Sequence, residues 1–538
     1  MVLFHWQMLA LDDVDGTVPN TGAGVTKPDH EVVIIGAGIG GLGAAIGLKR
    51  AGVDDFVVFE RAPAIGGTWY SNRYPDVGVD TPAFSYEFSY AANPKWSRLF
   101  PKGEEVRQYL DELVGRHGLD VHLRLGNEVM ERVWDDDDHQ WRLRLGDGTV
   151  VTARFVIAAL GIFVEPKKPN ITGLDSFQGK LIQAQCWDPE DDLTGKRIAV
   201  IGTGATAVQL APSLANIARR LDVYQRRASW VFPKIDVTIP PAVQWGLAHV
   251  PGLQWLARAS IGAGGELVFV GITVYGSRIA PITTMLGWVC RGFLFTQVRD
   301  RELRRKLTPE YGLGCKRPTI STAYYRMFNQ PQVNLITAPI AEVTPTGIRT
   351  VDGVNHEVDV VVLATGFELA QSPELHRTRP VKGRNGFDLA DHCQGNATKA
   401  YEGVALPQLP NHFAIFGPFA WSGSSWHVMV ENTARVAIRV ITEARRRGAT
   451  MVAVKEEAAD RFYGQMVQRS RLALAKGPTC VDANSYYIDH RGEFSLMRPT
   501  TSYQATRASK RFSLEDFTFD RLAVRPSRPS REAVIAHD

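Results

Sequence analysis

Two glycine-rich turns are the first places where residue type and spacing could do chemistry. One reads Gly36-x-Gly38-x-x-Gly41 and follows the apolar run Glu31-Val32-Val33-Ile34-Ile35. In such a turn the first glycine permits a tight bend, the second lets backbone approach a pyrophosphate, and the third allows close helix–strand packing. The helix that follows offers unpaired N–H groups and a partial positive charge to phosphate oxygens. Glu60 stands 24 residues after Gly36, at the end of the next apolar run, Phe56-Val57-Val58-Phe59. A carboxylate there accepts hydrogen bonds from a ribose 2′-hydroxyl and repels a 2′-phosphate. The first turn is therefore expected to hold FAD or NAD. The second turn reads Gly202-x-Gly204-x-x-Ala207, and the same count of 24 from Gly202 reaches Arg226, followed by Arg227. An arginine fork binds phosphate bidentately, so this site is expected to take NADP. The plainer alternatives are turns that only bend the chain and an Arg226 that is a solvated surface charge.

Each turn needs a strand before it and a helix after it. Apolar positions Leu42, Ala45, Ile46 and Leu48 continue the first turn as a helix that stops near Gly52, and Phe56–Phe59 is the next strand, giving a βαβ unit. The same grammar returns with strand Arg197–Ile201, a helix through Val208 and Leu214, and strand Leu221–Tyr224, about 166 residues later. Runs Phe155–Leu160 and Asp359–Leu363, each ending toward a glycine, read as strands that close the two units. The fold class expected is α/β with two dinucleotide-binding, Rossmann-like domains and a helical insertion in the second. The expected division is a tail at 1–30, a flavin domain over 31–175, an NADPH domain over 176–378 with its insertion at about 235–300, the rest of the flavin domain over 379–520, and a tail at 521–538.

Two dinucleotide sites in one chain imply electron transfer between them, and NADPH with FAD is the usual pairing. A dithiol disulfide reductase would need a close cysteine pair near its flavin, and residues 60–90 contain no cysteine. The five cysteines are Cys186, Cys290, Cys315, Cys393 and Cys480, with no Cys-x-x-Cys. This scattered, odd set is expected to be reduced thiols in a cytoplasmic protein.

A third group of segments resembles a known family. Gly66-Gly67-Thr68-Trp69-Tyr70-Ser71-Asn72-Arg73-Tyr74-Pro75, then Val79-Asp80, is similar to the flavin-side fingerprint of Baeyer–Villiger monooxygenases, within the class B flavoprotein monooxygenases. Asp76 stands where that pattern has glycine, and aspartate tolerates the left-handed conformation less readily. Phe177-x-Gly179-x-x-x-Gln183-x-x-x-Trp187-Asp188 resembles the second family signature, with Gln183 in place of histidine. In the family that histidine is thought to link cofactor binding to domain movement. Glutamine keeps hydrogen bonding and loses the charge. Gly314-Cys315-Lys316-Arg317 with Tyr324-Tyr325 and Phe328-Asn329 is a third match. Further matches are Ala364-Thr365-Gly366-Phe367, Pro410-Asn411, Gly417-Pro418, and Cys480 with Ser485-Tyr486-Tyr487.

The resemblance implies a role for each part. Lys316 would help bind the NADP 2′-phosphate. Arg317 would reach the flavin and stabilise an anionic C4a-peroxyflavin, and Asp80 would orient it. On the flavin side the expected cofactor residues also include Gly67, Thr68, Trp69, Tyr86 and Val129. On the NADPH side they include Thr203, Ala205, Thr206 and Gln209. Arg317 could instead be a structural ion pair and Asp80 a turn cap. Trp421 and Trp426 could wall the pocket or sit in the core. His427 could donate a proton, although a structural histidine is the expected reading. The activity implied is Baeyer–Villiger oxidation of a small hydrophobic ketone by molecular oxygen. Oxygenation of sulfur or nitrogen in a substrate such as a thioether, an NADPH oxidase releasing hydrogen peroxide, and a flavin-binding redox sensor are the alternatives.

Composition sets the outer limits. A formal net charge of +4 over 538 residues, without a basic stripe, argues against nucleic acid. The first thirty residues lack a basic segment followed by an apolar run, so no signal peptide is expected. The most membrane-like stretch, Val250 to Val298, is broken by Arg258, Glu266, Arg278 and Arg291. It is expected to be a helical insertion packed on a domain, with peripheral membrane contact as the alternative. The four acids Asp135–Asp138 precede Gln140-Trp141-Arg142-Leu143 and are expected to be a solvated hairpin turn.

Overall fold

A computed structural model of the chain describes residues 27–522, apart from 277, 370, 371, 424 and 484. Most of each expected tail lies outside the described residues.

The first sheet is built from β1 (His30–Ile35), β2 (Phe56–Glu60), β3 (Leu123–Leu125), β4 (Val129–Asp135), β5 (Gln140–Leu145) and β6 (Val150–Ala158). β1 lies between β2 and β6, parallel to both, and β3 extends the parallel edge beyond β2. β4, β5 and β6 form an antiparallel meander, and Asp135–Gln140 makes its first turn, with Asp135 Oδ1 accepting the N–H groups of Asp137 and Asp138. Val32, Val33, Ile34 and Ile35 are all buried, as befits a strand covered on both faces.

The second sheet is wholly parallel, in the order β10-β9-β8-β11-β7. Its strands are β7 (Lys180–Gln183), β8 (Arg197–Ile201), β9 (Arg220–Tyr224), β10 (Val333–Ile336) and β11 (Val360–Leu363). The chain then returns to the first sheet. β12 (Val381–Lys382) pairs with β4, and β13 (His412–Ala414) pairs with β6.

Six helices complete the frame around the site. α1 (Ile39–Arg50) and α2 (Ala205–Ile217) follow the two glycine turns. The insertion contributes α3 (Pro241–His249), α4 (Leu253–Gly265) and α5 (Ala280–Gln297). α6 (Trp426–Arg447) packs along α1. Gly43 and Gly47, one turn apart on α1, make that approach possible: a Cβ on Gly43 would lie 2.7 Å from Val430, and one on Gly47 2.4 Å from Ile438. The C-terminal segment thereby covers the first sheet.

The cysteines need a correction. Cys315 and Cys480, 165 positions apart, are joined by a disulfide with their Cα atoms 5.1 Å apart, whereas Cys186, Cys290 and Cys393 are free. Spacing along the chain carried no sign of this pair, because only the return of the C-terminal segment brings the two together. The scattered cysteines therefore do not support a wholly reduced set.

Candidate active site

A cavity of about 1760 Å³ opens between the C-terminal edges of the two sheets and reaches both glycine turns. Its size exceeds the ~300–1,000 Å³ of a pocket for one drug-sized ligand. Of the expected site residues, all but Gly41 and Ala207 lie on its wall. Those two sit beneath the turns. A Cβ on Gly41 would meet the Gly36 carbonyl oxygen at 1.8 Å, which is the close packing the third glycine serves. Gly36 itself has φ +102°, a left-handed value that disfavours any side chain.

The end at the first glycine turn is held by backbone. Glu60 is buried at the tip of β2; its Oε2 accepts the Ala37 N–H at 2.7 Å and its Oε1 accepts the Ala62 N–H at 2.9 Å. Gly38, the N-cap of α1, supplies no side-chain cap, so the helix start is open to an anion. Trp69 Nε1 donates to the Tyr86 hydroxyl at 3.1 Å, fixing two rings of the wall edge to face.

The opposite end is cationic. α2 also begins on a glycine, Gly204, without a side-chain cap. Arg226 and Arg227 are exposed beyond β9, and the Thr203 hydroxyl donates to the Arg227 carbonyl at 2.9 Å. Lys316 faces this pair. Burial, with the charges of Arg227 and Arg226, pushes its ammonium down to about 8. Three cations gathered on one wall favour a ligand with a phosphate.

Arg317 lines the same cavity as both turns. It follows Gly314, whose φ is +96°, and leads into the short strand Thr319–Ile320, which pairs with Val231–Phe232. Its guanidinium carbon lies 5.5 Å from the centre of the Trp421 ring, and its charge acts on Asp80, Tyr86 and Tyr486. Asp80 is fixed from the other side: Gln209 of α2 donates to its Oδ1 at 2.8 Å and to the Gly78 carbonyl at 3.1 Å. Burial raises the Asp80 carboxyl, and Arg317, Lys234 and Gln209 pull it back down. Tyr74 donates to Gln209 Oε1 at 3.0 Å, so one side chain of α2 ties together the whole 74–80 loop.

Asp76 keeps the turn that glycine would make. It takes φ +65°, and its carboxylate accepts from Lys102 Nζ at 2.6 Å and from the Ser213 hydroxyl of α2. Gln183 ends β7 beside Leu363 and is absent from the cavity wall, which Gln185 and Cys186 reach instead. Trp421 and Trp426 are wall residues, in edge-to-face contact with each other. His427 is fully buried among Tyr86, Phe88 and Tyr109 and does not reach the cavity. Burial holds its proton affinity well below the usual histidine value. That placement is structural and removes it as a proton donor. Lys234 went unnoticed in the sequence, because Phe232-Pro233-Lys234 has no motif. It acts electrostatically on Asp80 and comes within 3.5 Å of the Val79 carbonyl.

Known proteins resemble this chain over most of its length. A family described as pyridine nucleotide-disulphide oxidoreductase matches residues 33–251. A Baeyer–Villiger monooxygenase of Streptomyces coelicolor is 34% identical over 488 residues, covering 90% of this chain and 92% of the relative. The chain belongs to the Baeyer–Villiger family of flavin-dependent monooxygenases. Another member, a Baeyer–Villiger monooxygenase of Pseudomonas aeruginosa, is 35% identical over 82% of both chains. The crystal structure of cyclohexanone monooxygenase from Rhodococcus sp. Phi1 bound to NADP+ superposes with a TM-score of 0.82 at 26% identity, over 92% of this chain and all of that one. The two-domain α/β architecture of this monooxygenase is thus shared across its length.

Proposed function

We propose that this monooxygenase binds FAD and NADPH and inserts one atom of oxygen beside the carbonyl of a small hydrophobic ketone. The balance is ketone, O2, NADPH and a proton giving ester or lactone, NADP+ and water. The observation that supports the reading is one cavity lined by both glycine turns, Asp80 and Arg317, with the Arg317 charge acting on Asp80.

Glu60, Gly36, Gly38 and the open start of α1 would hold the flavin's adenosine and pyrophosphate. Gly67, Thr68, Trp69, Tyr86 and Val129 would flank it, while Gly41 permits the close helix packing. Thr203, Gly204, Ala205, Thr206 and Ala207 form the second turn, with Gln209 behind it. Arg226, Arg227 and Lys316 would select the 2′-phosphate of NADPH. Bound FAD, once reduced by NADPH, supplies the oxygen-activating chemistry. Arg317 contributes a fixed positive charge where negative charge gathers, an effect worth about 3–4 kcal/mol per preorganised donor. Asp80, held by Gln209, would orient that guanidinium through its charge. Trp421, Trp426 and Tyr486 exclude water from the same end of the cavity, which keeps oxygen transfer ahead of peroxide release.

Product stoichiometry tests the reading. With a panel of cyclic and aryl ketones, ester or lactone formed per NADPH consumed should approach one for the preferred substrates. Hydrogen peroxide near one per NADPH across the panel, or sulfoxide from thioethers with no ester from any ketone, would contradict it.

A further inference from the structure

α5 is built the wrong way round for a helix that faces only water. Leu286, Cys290 and Leu294, one turn apart, point inward onto the clusters around Trp230 and Leu307. A surface helix usually carries polar residues on its other side. Here the outward side carries Ile282, Met285, Trp288, Val289 and Phe295, each about half exposed or more, with Trp288 at 65%. The other helices of the insertion repeat the pattern, with Trp245 on α3 and Trp255 and Leu256 on α4 more than half exposed.

The charges along the insertion are almost all of one sign, and carboxylates return only at Asp300 and Glu302, past the end of α5. Between 237 and 299 the sequence holds one carboxylate, Glu266, and it is engaged by the N–H and hydroxyl of Ser502. Arg278, Arg291 and Arg299 are exposed, and the Arg304 guanidinium lies 4.6 Å over the Phe295 ring. A second copy docked through the middle of this face about a two-fold axis would set arginine against arginine, with Glu266 already engaged and Asp300 and Glu302 lying beyond the end of α5. Tryptophan and arginine beside aliphatic side chains are what the headgroup region of a membrane accepts. No helix among the described residues is long and apolar enough to cross a bilayer, so contact would be from one side.

We propose that the outward face of α5 docks on the surface of an anionic phospholipid membrane, with Trp288 and Phe295 entering the headgroup layer and Arg291 and Arg299 pairing with lipid phosphates. None of these four lines the nucleotide cavity.

Vesicle co-sedimentation of the FAD-loaded enzyme tests this, using phosphatidylcholine vesicles with and without phosphatidylglycerol. The wild-type protein should bind the vesicles containing phosphatidylglycerol and be released by salt. Trp288→Gln/Phe295→Gln and Arg291→Glu/Arg299→Glu should each lower the bound fraction by about tenfold or more, with flavin content and NADPH oxidation unchanged. Wild-type protein left in the supernatant, or variants that bind as it does, would overturn the proposal. So would a dimer in sedimentation velocity that Trp288→Gln/Phe295→Gln splits into monomers, because the face would then belong to a second copy.

Discussion

The two glycine turns share one backbone plan and differ in what stands at the end of the following strand. At the first turn, Glu60 is buried and anchored by two backbone N–H groups. At the other side, Arg226 and Arg227 are exposed, and burial together with their charges lowers the proton affinity of Lys316. The first end is rigid before any ligand arrives. The second is a concentration of like charge that an arriving phosphate relieves. A tightly held prosthetic group suits the first, and a cosubstrate that binds and leaves in each turnover suits the second.

Substitutions at the two ends can break that comparison. Glu60→Gln leaves the shape and removes the charge, so FAD affinity should fall by up to about 100-fold, the cost of a charge-assisted hydrogen bond set. Flavin retention after gel filtration measures it, and full retention would mean that the carboxylate serves only the turn. Arg226→Ala should raise the NADPH KM by about 10- to 30-fold, the loss of one charged contact, and leave the NADH KM nearly unchanged. Equal effects on both coenzymes would remove the phosphate assignment.

Titration sharpens the contrast further. Lys316 is cationic below about 8 and loses its charge as pH rises through that value. A bound 2′-phosphate favours the protonated form, so NADPH binding takes up a proton above that pH. The NADPH KM should therefore climb between pH 7 and 9.5 while the NADH KM stays flat, and Lys316→Met should abolish the difference. The smallest effect is expected at Gln183, which lies off the cavity wall. Gln183→His should leave the product formed per NADPH unchanged, and improved coupling would show that this position acts on the site from a distance.

The fold could be read from the chain where local backbone demands were strong. Gly36, Gly41 and Gly202 announce turns because few other residues fit them, and buried parallel strands appear as unbroken apolar runs. The site was legible only in part. Glu60 and Arg226 follow from counting along a βαβ unit. Arg317 and Asp80 came from resemblance, since nothing local marks an arginine after Gly314-Cys315-Lys316 as the group between two nucleotides. Lys234 and the Cys315–Cys480 bond were illegible, because each depends on segments far apart in the chain: Lys234 meets the loop at Val79 and Asp80, and Cys480 reaches Cys315 through the C-terminal segment. Asp76 shows the converse. A residue expected to disturb its turn keeps the left-handed conformation, with partners Lys102 and Ser213 that a single motif does not contain.

The central claim is that Arg317 supplies the charge that turns oxygen reduction into oxygen transfer. The most direct measurement is ester formed and NADPH consumed by Arg317→Ala loaded with FAD. The account predicts retained flavin and a loss of ester formation of about 100-fold or more. Ester formation at the wild-type rate, with flavin bound, would contradict it.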